Sequence, residues 1–217
     1  MQKILIYGGT FDPPHTAHMN VLEEVQKKFK FDKIILIPCN IPALKNVTFA
    51  SSQQRIAMLE LLRKKKPFFS VDDREINRKG PSYMVDTLTS LREEFGENDS
   101  ISLLLGLDAF LQFNKWHRWQ EILTLANLLI MTRAGYSEHE LSPALATLID
   151  DQTTTDHFTK TCGQVIKFSV KNYFTSSTTI RNKLKKNENC AEYLDSDVLA
   201  YISQENIYYN HPKNKER

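Results

Sequence analysis

Two histidines three positions apart follow a pair of glycines in Gly8-Gly9-Thr10-Phe11-Asp12-Pro13-Pro14-His15-Thr16-Ala17-His18. Two glycines at a strand end let the backbone turn sharply and approach a ligand closely. Pro13 and Pro14 stiffen the segment leading to the histidines. His15 and His18 then fall at the start of a helical pattern, where both can project toward one point. A helix N-terminus carries unpaired N–H groups and a partial positive charge, which favour an anion such as phosphate. An imidazole titrates near pH ~6.5, and an adjoining polyphosphate is expected to hold it cationic, so both rings could donate hydrogen bonds to phosphate oxygens. The competing role is a polar helix cap. A metal site is not expected: His-x-x-His lacks the i, i+4 helical spacing of the zinc-protease pattern, and no cysteine or carboxylate cluster accompanies it.

The elements that must position this loop alternate between β and α. Ile4–Tyr7, Lys33–Pro38, Phe68–Val71, Ile101–Leu105, Leu128–Thr132 and Val165–Val170 read as strands. Helical patterns cover His18–Phe29, Ser52–Lys66 and Ser82–Phe95, and a further one comes after Trp119. In Ser52–Lys66, Ile56, Leu59, Leu61 and Leu62 lie on or near one face. Such alternation predicts an α/β, Rossmann-like, doubly wound parallel sheet with helices on both faces and right-handed crossovers. Ligands bind such sheets at the carboxyl ends of strands, where strand order reverses. Residues 8–18, 38–50 and 106–119 are therefore the loops in which chemistry is expected.

Ser176-Ser177-Thr178-Thr179 precedes a helix start at Ile180-Arg181, with Ser or Thr as N-cap. A short helix near Asp197–Gln204 comes next. One domain over residues 1–210 is expected, of which 176–210 form a small C-terminal helical portion and 211–217 a polar tail. Residues 135–162 are polar and rich in Thr and Asp, and read as an excursion.

Lys plus Arg number 28 against 26 Asp plus Glu, so net charge gives no reason to expect a nucleic-acid or membrane partner. No apolar run approaches membrane-spanning length, and the opening strand is too short and wrongly flanked for a signal peptide. Cys39, Cys162 and Cys190 are odd in number and widely spaced, which fits a reducing cytoplasm and thiols without chemistry. A homo-oligomer is compatible with all of this.

The first loop resembles the GxFDPxHxGH signature of the nucleotidyltransferase α/β-phosphodiesterase superfamily, with Ala17 in place of the usual glycine. Further segments resemble the bacterial nicotinate-nucleotide adenylyltransferases: Ile41–Lys45, Gln54–Leu59, Asp73–Tyr83 with Asp86–Leu88, Leu105–Asp108, Trp116–Leu123 and Ser176–Arg181. They run in order from about Ile4 to Tyr208. Leu44 and Met84 depart from the histidine and the Thr or Ser common at those positions.

The resemblance implies transfer of AMP from ATP to nicotinate mononucleotide, giving nicotinate adenine dinucleotide and pyrophosphate in NAD synthesis, with Mg2+ accompanying ATP. His15, His18, Lys45 and Arg181 are its catalytic candidates. Gly8, Gly9, Thr10, Phe11, His18, Gly106, Asp108, Ser177, Thr178 and Arg181 would hold ATP. Lys45, Thr87, Trp116 and His117 would hold the acceptor, Trp116 by stacking on the pyridine ring. Lys45 would bring a mobile positive charge to the phosphates. Asp108, just past a strand, could take ribose hydroxyls or cap a helix. Trp119 is expected in the core, and Arg55, Arg74 and Arg78 as structural or rim charges. The incoming phosphate is already an anion, so no base is needed, and alignment with charge stabilisation is what such a site must supply. Another acceptor (nicotinamide mononucleotide or phosphopantetheine) and a nucleotide-binding sensor without catalysis are the rival expectations.

Overall fold

The computed structural model describes residues 1–42, 48–133, 142–152, 157–171, 173 and 175–209. Its strands are β1 (Lys3–Gly9), β2 (Lys33–Pro38), β3 (Ile41–Pro42), β4 (Ser70–Val71), β5 (Pro81–Ser82), β6 (Ser100–Gly106), β7 (Asn127–Arg133) and β8 (Val165–Val170). Its α-helices are α1 (Thr16–Phe29), α2 (Ser52–Lys65), α3 (Arg74–Asn77), α4 (Met84–Phe95), α5 (Leu107–Phe110), α6 (Trp119–Leu125), α7 (Pro143–Gln152), α8 (Ser177–Lys185) and α9 (Ser196–Gln204).

Six strands form one sheet in the order β4-β2-β1-β6-β7-β8, and every pairing is parallel. A parallel sheet needs both faces covered, so its strands read as unbroken apolar runs. Alternate side chains divide between two cores. Leu5, Leu36, Leu104 and Leu129 join α1, α2, α8 and α9, through residues such as Leu22, Leu59, Ile180 and Ile202. Ile4, Ile6, Ile35 and Ile37 join α4 and α6 through Val85, Leu88 and Ile122. The strand order reverses around β1, whose neighbours are β2 and β6. The glycine-rich loop therefore leaves the sheet at the reversal, as its place after the first strand leads one to expect.

Local signals explain several boundaries. Ser51 caps α2, accepting from Gln54 N–H at 3.1 Å while Gln54 Oε1 accepts from Ser51 N–H at 2.9 Å. Helix α1 ends at Lys30 in the left-handed region, with Lys27 and Lys28 in its last turn against the negative end of the helix dipole. Ser176 caps α8 by accepting from Thr179 N–H.

Several elements differ from the expectation. Helix α1 begins at Thr16 rather than His18, so His15 is its N-cap. The strand expected over Phe68–Val71 shrinks to two residues. Helix α4 starts at Met84, because Pro81–Ser82 pair in parallel with Ile41–Pro42 in a second, two-stranded sheet. The buried face of α2 is Arg55, Met58, Leu59 and Leu62, with Ile56 and Leu61 only half-buried. Helix α7 lies within the stretch read as an excursion. Residues 211–217, expected as a polar tail, fall outside the described residues.

Candidate active site

Loop 10–15 joins β1 to α1, and it is held from several sides. Phe11 has φ 50°, a left-handed conformation unusual for an aromatic residue, and its ring lies over Gly9, where an added Cβ would sit 3.0 Å from it. Gly8 is tightly packed as well, since a Cβ there would fall 2.6 Å from Met84 Cε, the far end of a flexible side chain. Arg55, fully buried, donates to the carbonyls of Thr10 at 2.9 Å and Cys39 at 2.7 Å. It is thus a strut beneath the loop rather than a rim charge. From α8, Ser177 Oγ donates to the Pro13 carbonyl at 2.9 Å, and Arg181 Nη1 to the Asp12 carbonyl at 2.6 Å. Arg181 also donates to Thr178 Oγ1 at 3.1 Å and lies 4.6 Å over the Phe49 ring. Asp12, to which sequence reasoning assigned no role, is buried. It accepts from Phe49 N–H at 2.7 Å, Ala50 N–H at 3.0 Å and the Tyr208 hydroxyl at 2.6 Å.

His15 and His18 stack, with ring centroids 3.7 Å apart and planes at 24°. Tyr7 and Phe11 enclose His18 further, at 6.0 and 5.3 Å. The backbone N–H of His15 donates to His18 Nδ1 at 3.1 Å. A ring accepting at Nδ1 carries its proton at Nε2, so neutral His18 already presents a donor. Burial pushes His15 down to about 4. Burial, and then the neighbouring His15, push His18 well below its ordinary value. His18 keeps partial exposure, but its ring is the enclosed part, and the direction follows that enclosure. In the chain without ligand both shifts favour neutral imidazoles, and protonating His18 Nδ1 would set two donors against each other; the expectation of cationic rings concerns the rings beside a polyphosphate. The helix-cap role is present: His15 is the N-cap of α1, and His18 accepts from its backbone N–H. Ala17 is buried in α1.

Across the sheet reversal, Gly106 ends β6. An added Cβ there would fall 2.7 Å from Asp108 Oδ1, so the exposed Asp108 carboxylate folds back over Gly106 and would have to turn away from a larger residue. Asp108 is not the N-cap of α5, which is Gly106. Burial and the Asp108 charge raise the Tyr7 phenol well above its usual range.

The remaining candidates lie around the start of α4. Thr87 is fully buried, and its hydroxyl donates to Glu75 Oε1 at 2.7 Å while accepting from Arg78 Nη2 at 2.8 Å. Its side chain is occupied inside the wall, so it braces α4 rather than facing solvent. Burial raises Glu75, against hydrogen bonds from Thr87 and Ser82. Exposed His117 packs on Tyr83, with centroids 4.4 Å apart. Trp116 and Trp119 are both half-buried against Phe113, at 5.4 and 5.8 Å, so Trp119 is at the core edge rather than within it. Arg74 is a half-buried strut to Asp72, Glu94 and Ser90. Lys45 and Leu44 lie outside the described residues. Cys39, Cys162 and Cys190 are free.

Sequence reasoning missed Asp12, Phe49, Glu75 and Tyr208 as parts of the frame; of the two roles open to Arg55, structural or rim, the structure shows the structural one. Only for Arg55 was a signal available, since it stands at i−3 and i−4 to Met58 and Leu59 on the buried stripe of α2.

A family model described as cytidylyltransferase-like matches residues 6–183. A curated relative from Legionella pneumophila (strain Paris), named "Probable nicotinate-nucleotide adenylyltransferase", is 36% identical over 211 residues, covering 96% of this chain and 100% of the relative. A relative of the same name from Pectobacterium atrosepticum is 35% identical over 205 residues, covering 93% and 96%. In fold, the chain is similar to the solved structure of Plasmodium falciparum nicotinic acid mononucleotide adenylyltransferase complexed with NaAD, with a TM-score of 0.75 at 19% identity, covering 96% and 98%. The glycine-rich loop at the sheet reversal and the full-length likeness to these relatives agree: the chain belongs to the cytidylyltransferase-like family, among the nicotinate-nucleotide adenylyltransferases.

Proposed function

We propose that this chain transfers AMP from ATP to nicotinate mononucleotide, giving nicotinate adenine dinucleotide and pyrophosphate as a step of NAD synthesis in the cytoplasm. An oxygen of the acceptor's 5′-phosphate attacks the α-phosphorus, and the bond from that phosphorus to the oxygen leading to the β-phosphate breaks. No proton has to leave the nucleophile. The reading is carried by one observation: the His15–His18 pair and the Ser177–Arg181 helix start meet on the same loop at the reversal of the sheet.

In this reading the triphosphate lies against residues 8–11, where backbone N–H groups and His18 Nε2–H meet charge as it develops. Ser177, Thr178 and Arg181 close the other side, and Arg181 offers guanidinium donors to phosphate. Asp108, beside Gly106, takes ribose hydroxyls. Trp116 and His117 border the acceptor, with Thr87 holding α4 behind it, and Lys45 is assigned to the phosphates.

The described residues contain no group of three or more His, Cys, Asp or Glu side chains able to cage a cation. The Asp12 carboxylate is already taken by three donors. These residues fit Mg2+ that arrives on ATP with most of its waters. When bound, it neutralises phosphate charge. No described helix is long and apolar enough to cross a membrane.

Pyrophosphate release from ATP and Mg2+ with nicotinate mononucleotide, nicotinamide mononucleotide or phosphopantetheine tests the proposal. A strong preference for the nicotinate compound is expected. Preference for another acceptor would overturn the roles given to Trp116 and His117, and release with none would favour a nucleotide-binding sensor.

A further inference from the structure

Tyr208 stands outside every motif that drew attention in the sequence, yet its hydroxyl reaches the centre of the glycine-rich loop. It donates to Asp12 Oδ1 at 2.6 Å across 196 positions of chain. Both residues are buried, Asp12 at 3% and Tyr208 at 7% exposure. Tyr208 takes φ 69°, a left-handed conformation that is costly for an aromatic side chain and persists where surroundings enforce it. The backbone after α9 is turned under this constraint, with Ile207 N–H donating to the Ile202 carbonyl at 2.9 Å. Burial and the Asp12 carboxylate raise the phenol far above its usual range, so it stays a donor.

The contacts around Asp12 close on themselves. Tyr208 and Phe49 N–H hold its carboxylate, the Phe49 ring supports the Arg181 guanidinium at 4.6 Å, and Arg181 returns to the Asp12 carbonyl at 2.6 Å. Pro13, the next residue, is gripped by Ser177, and His15 comes two residues later. The orientation of one carboxylate therefore sets both the loop that leads to the histidines and the arginine opposite them.

We propose that Tyr208 is a positioning residue for adenylyl transfer, acting through Asp12 to fix the glycine-rich loop relative to Arg181. This rests on the function proposed above. Tyr208→Phe keeps the ring and removes one of three donors to a carboxylate that retains two backbone N–H groups. Reacting groups displaced by about 1 Å lose on the order of a hundredfold in rate. The change should accordingly appear in kcat and leave ground-state binding alone.

The test is steady-state pyrophosphate release with ATP, Mg2+ and whichever acceptor the wild type uses, alongside thermal melting, for wild type, Tyr208→Phe, Asp12→Asn, the double variant and Tyr209→Phe. For Tyr208→Phe we expect kcat lower by at least about tenfold, with KM for ATP and acceptor within about threefold. Tyr209→Phe, whose hydroxyl meets only Ser203 among the bonds described, should match wild type. The double variant should be no slower than Asp12→Asn alone; Arg181→Lys takes that place in the cycle if Asp12→Asn does not fold. Wild-type kcat in Tyr208→Phe, additive losses, or an unfolded Tyr208→Phe would each overturn the proposal, the last making the hydroxyl a matter of stability. A wild type active beside an equally active Tyr208→Phe overturns this proposal alone. A wild type inert with every acceptor overturns adenylyl transfer and takes this proposal with it.

Discussion

The backbone N–H of His15 points at Nδ1 of His18 from 3.1 Å, and this bond sets the protonation state of the second ring. Nδ1 is the acceptor, so the proton of the neutral ring resides on Nε2, the nitrogen left to meet a ligand. A donor that needs no protonation works across the neutral pH range. With labelled histidine and a non-hydrolysable ATP analogue, nitrogen chemical shifts at pH 7 should show His18 neutral and protonated at Nε2. An imidazolium signature in that complex would falsify the neutral-donor assignment. His18→Ala should lower kcat by roughly a hundredfold or more while ATP affinity stays within a few-fold.

His15 makes the fold sensitive to acid. Its ring is held at about 4 against an ordinary 6.5, so below pH 6.5 the unfolded chain takes up the proton before the folded chain does. Stability from this group is present above pH 6.5, falls between 6.5 and about 4, and then levels off, for a total of about 3 kcal/mol. Urea unfolding at a series of pH values should show a steeper decline for wild type than for His15→Gln. Parallel curves would remove His15 from the account.

Arg55, fully buried, donates to the carbonyls of half-buried Thr10 and Cys39, which accept from no other described side chain. A methionine there fills similar volume but leaves the Thr10 and Cys39 oxygens without their donor, at about 1–3 kcal/mol each. Arg55→Met should lower stability by about 2–5 kcal/mol in denaturant titrations and slow the enzyme as well. Arg63→Met, a side chain 42% exposed that pairs with Glu60 on the same helix, should cost less than about 1 kcal/mol. Equal losses in the two variants would contradict the strut assigned to Arg55.

Met84 and Gly8 share one small space, with only 2.6 Å between Met84 Cε and an added Cβ at Gly8. The obstacle is the far end of a flexible side chain, so the clash can be relieved from the other partner. Gly8→Ala alone should reduce kcat/KM, and Met84→Ala in the same chain should restore part of it. If the second change brings no recovery, the need for glycine lies in backbone approach to ligand instead.

Much of the architecture was legible because a doubly covered parallel sheet writes itself as short apolar runs. Ile4–Tyr7, Lys33–Pro38 and Ile101–Leu105 announce strands, and Gly8-Gly9 with His15 and His18 marks the loop after the first as a site. The two-residue strands β3 and β5 carry no comparable signal, since prolines occupy half of them. The sequence leaves Arg55 open between a structural and a rim role, because hydrophobic periodicity discounts a charged residue on a buried stripe. Thr87 was named through the family resemblance, but whether its hydroxyl faces a ligand or Glu75 depends on how α3 packs on α4. Asp12 and Tyr208 could not be paired from the sequence at all, because nothing local in either segment refers to the other.

The distance along the chain between those two residues also orders events during synthesis. Asp12 emerges from the ribosome early, and β1 and α1 can begin to form, but the bond that completes the frame waits for a residue made 196 positions later. A chain interrupted before Tyr208 can thus bury most of a sheet and still lack its locked loop.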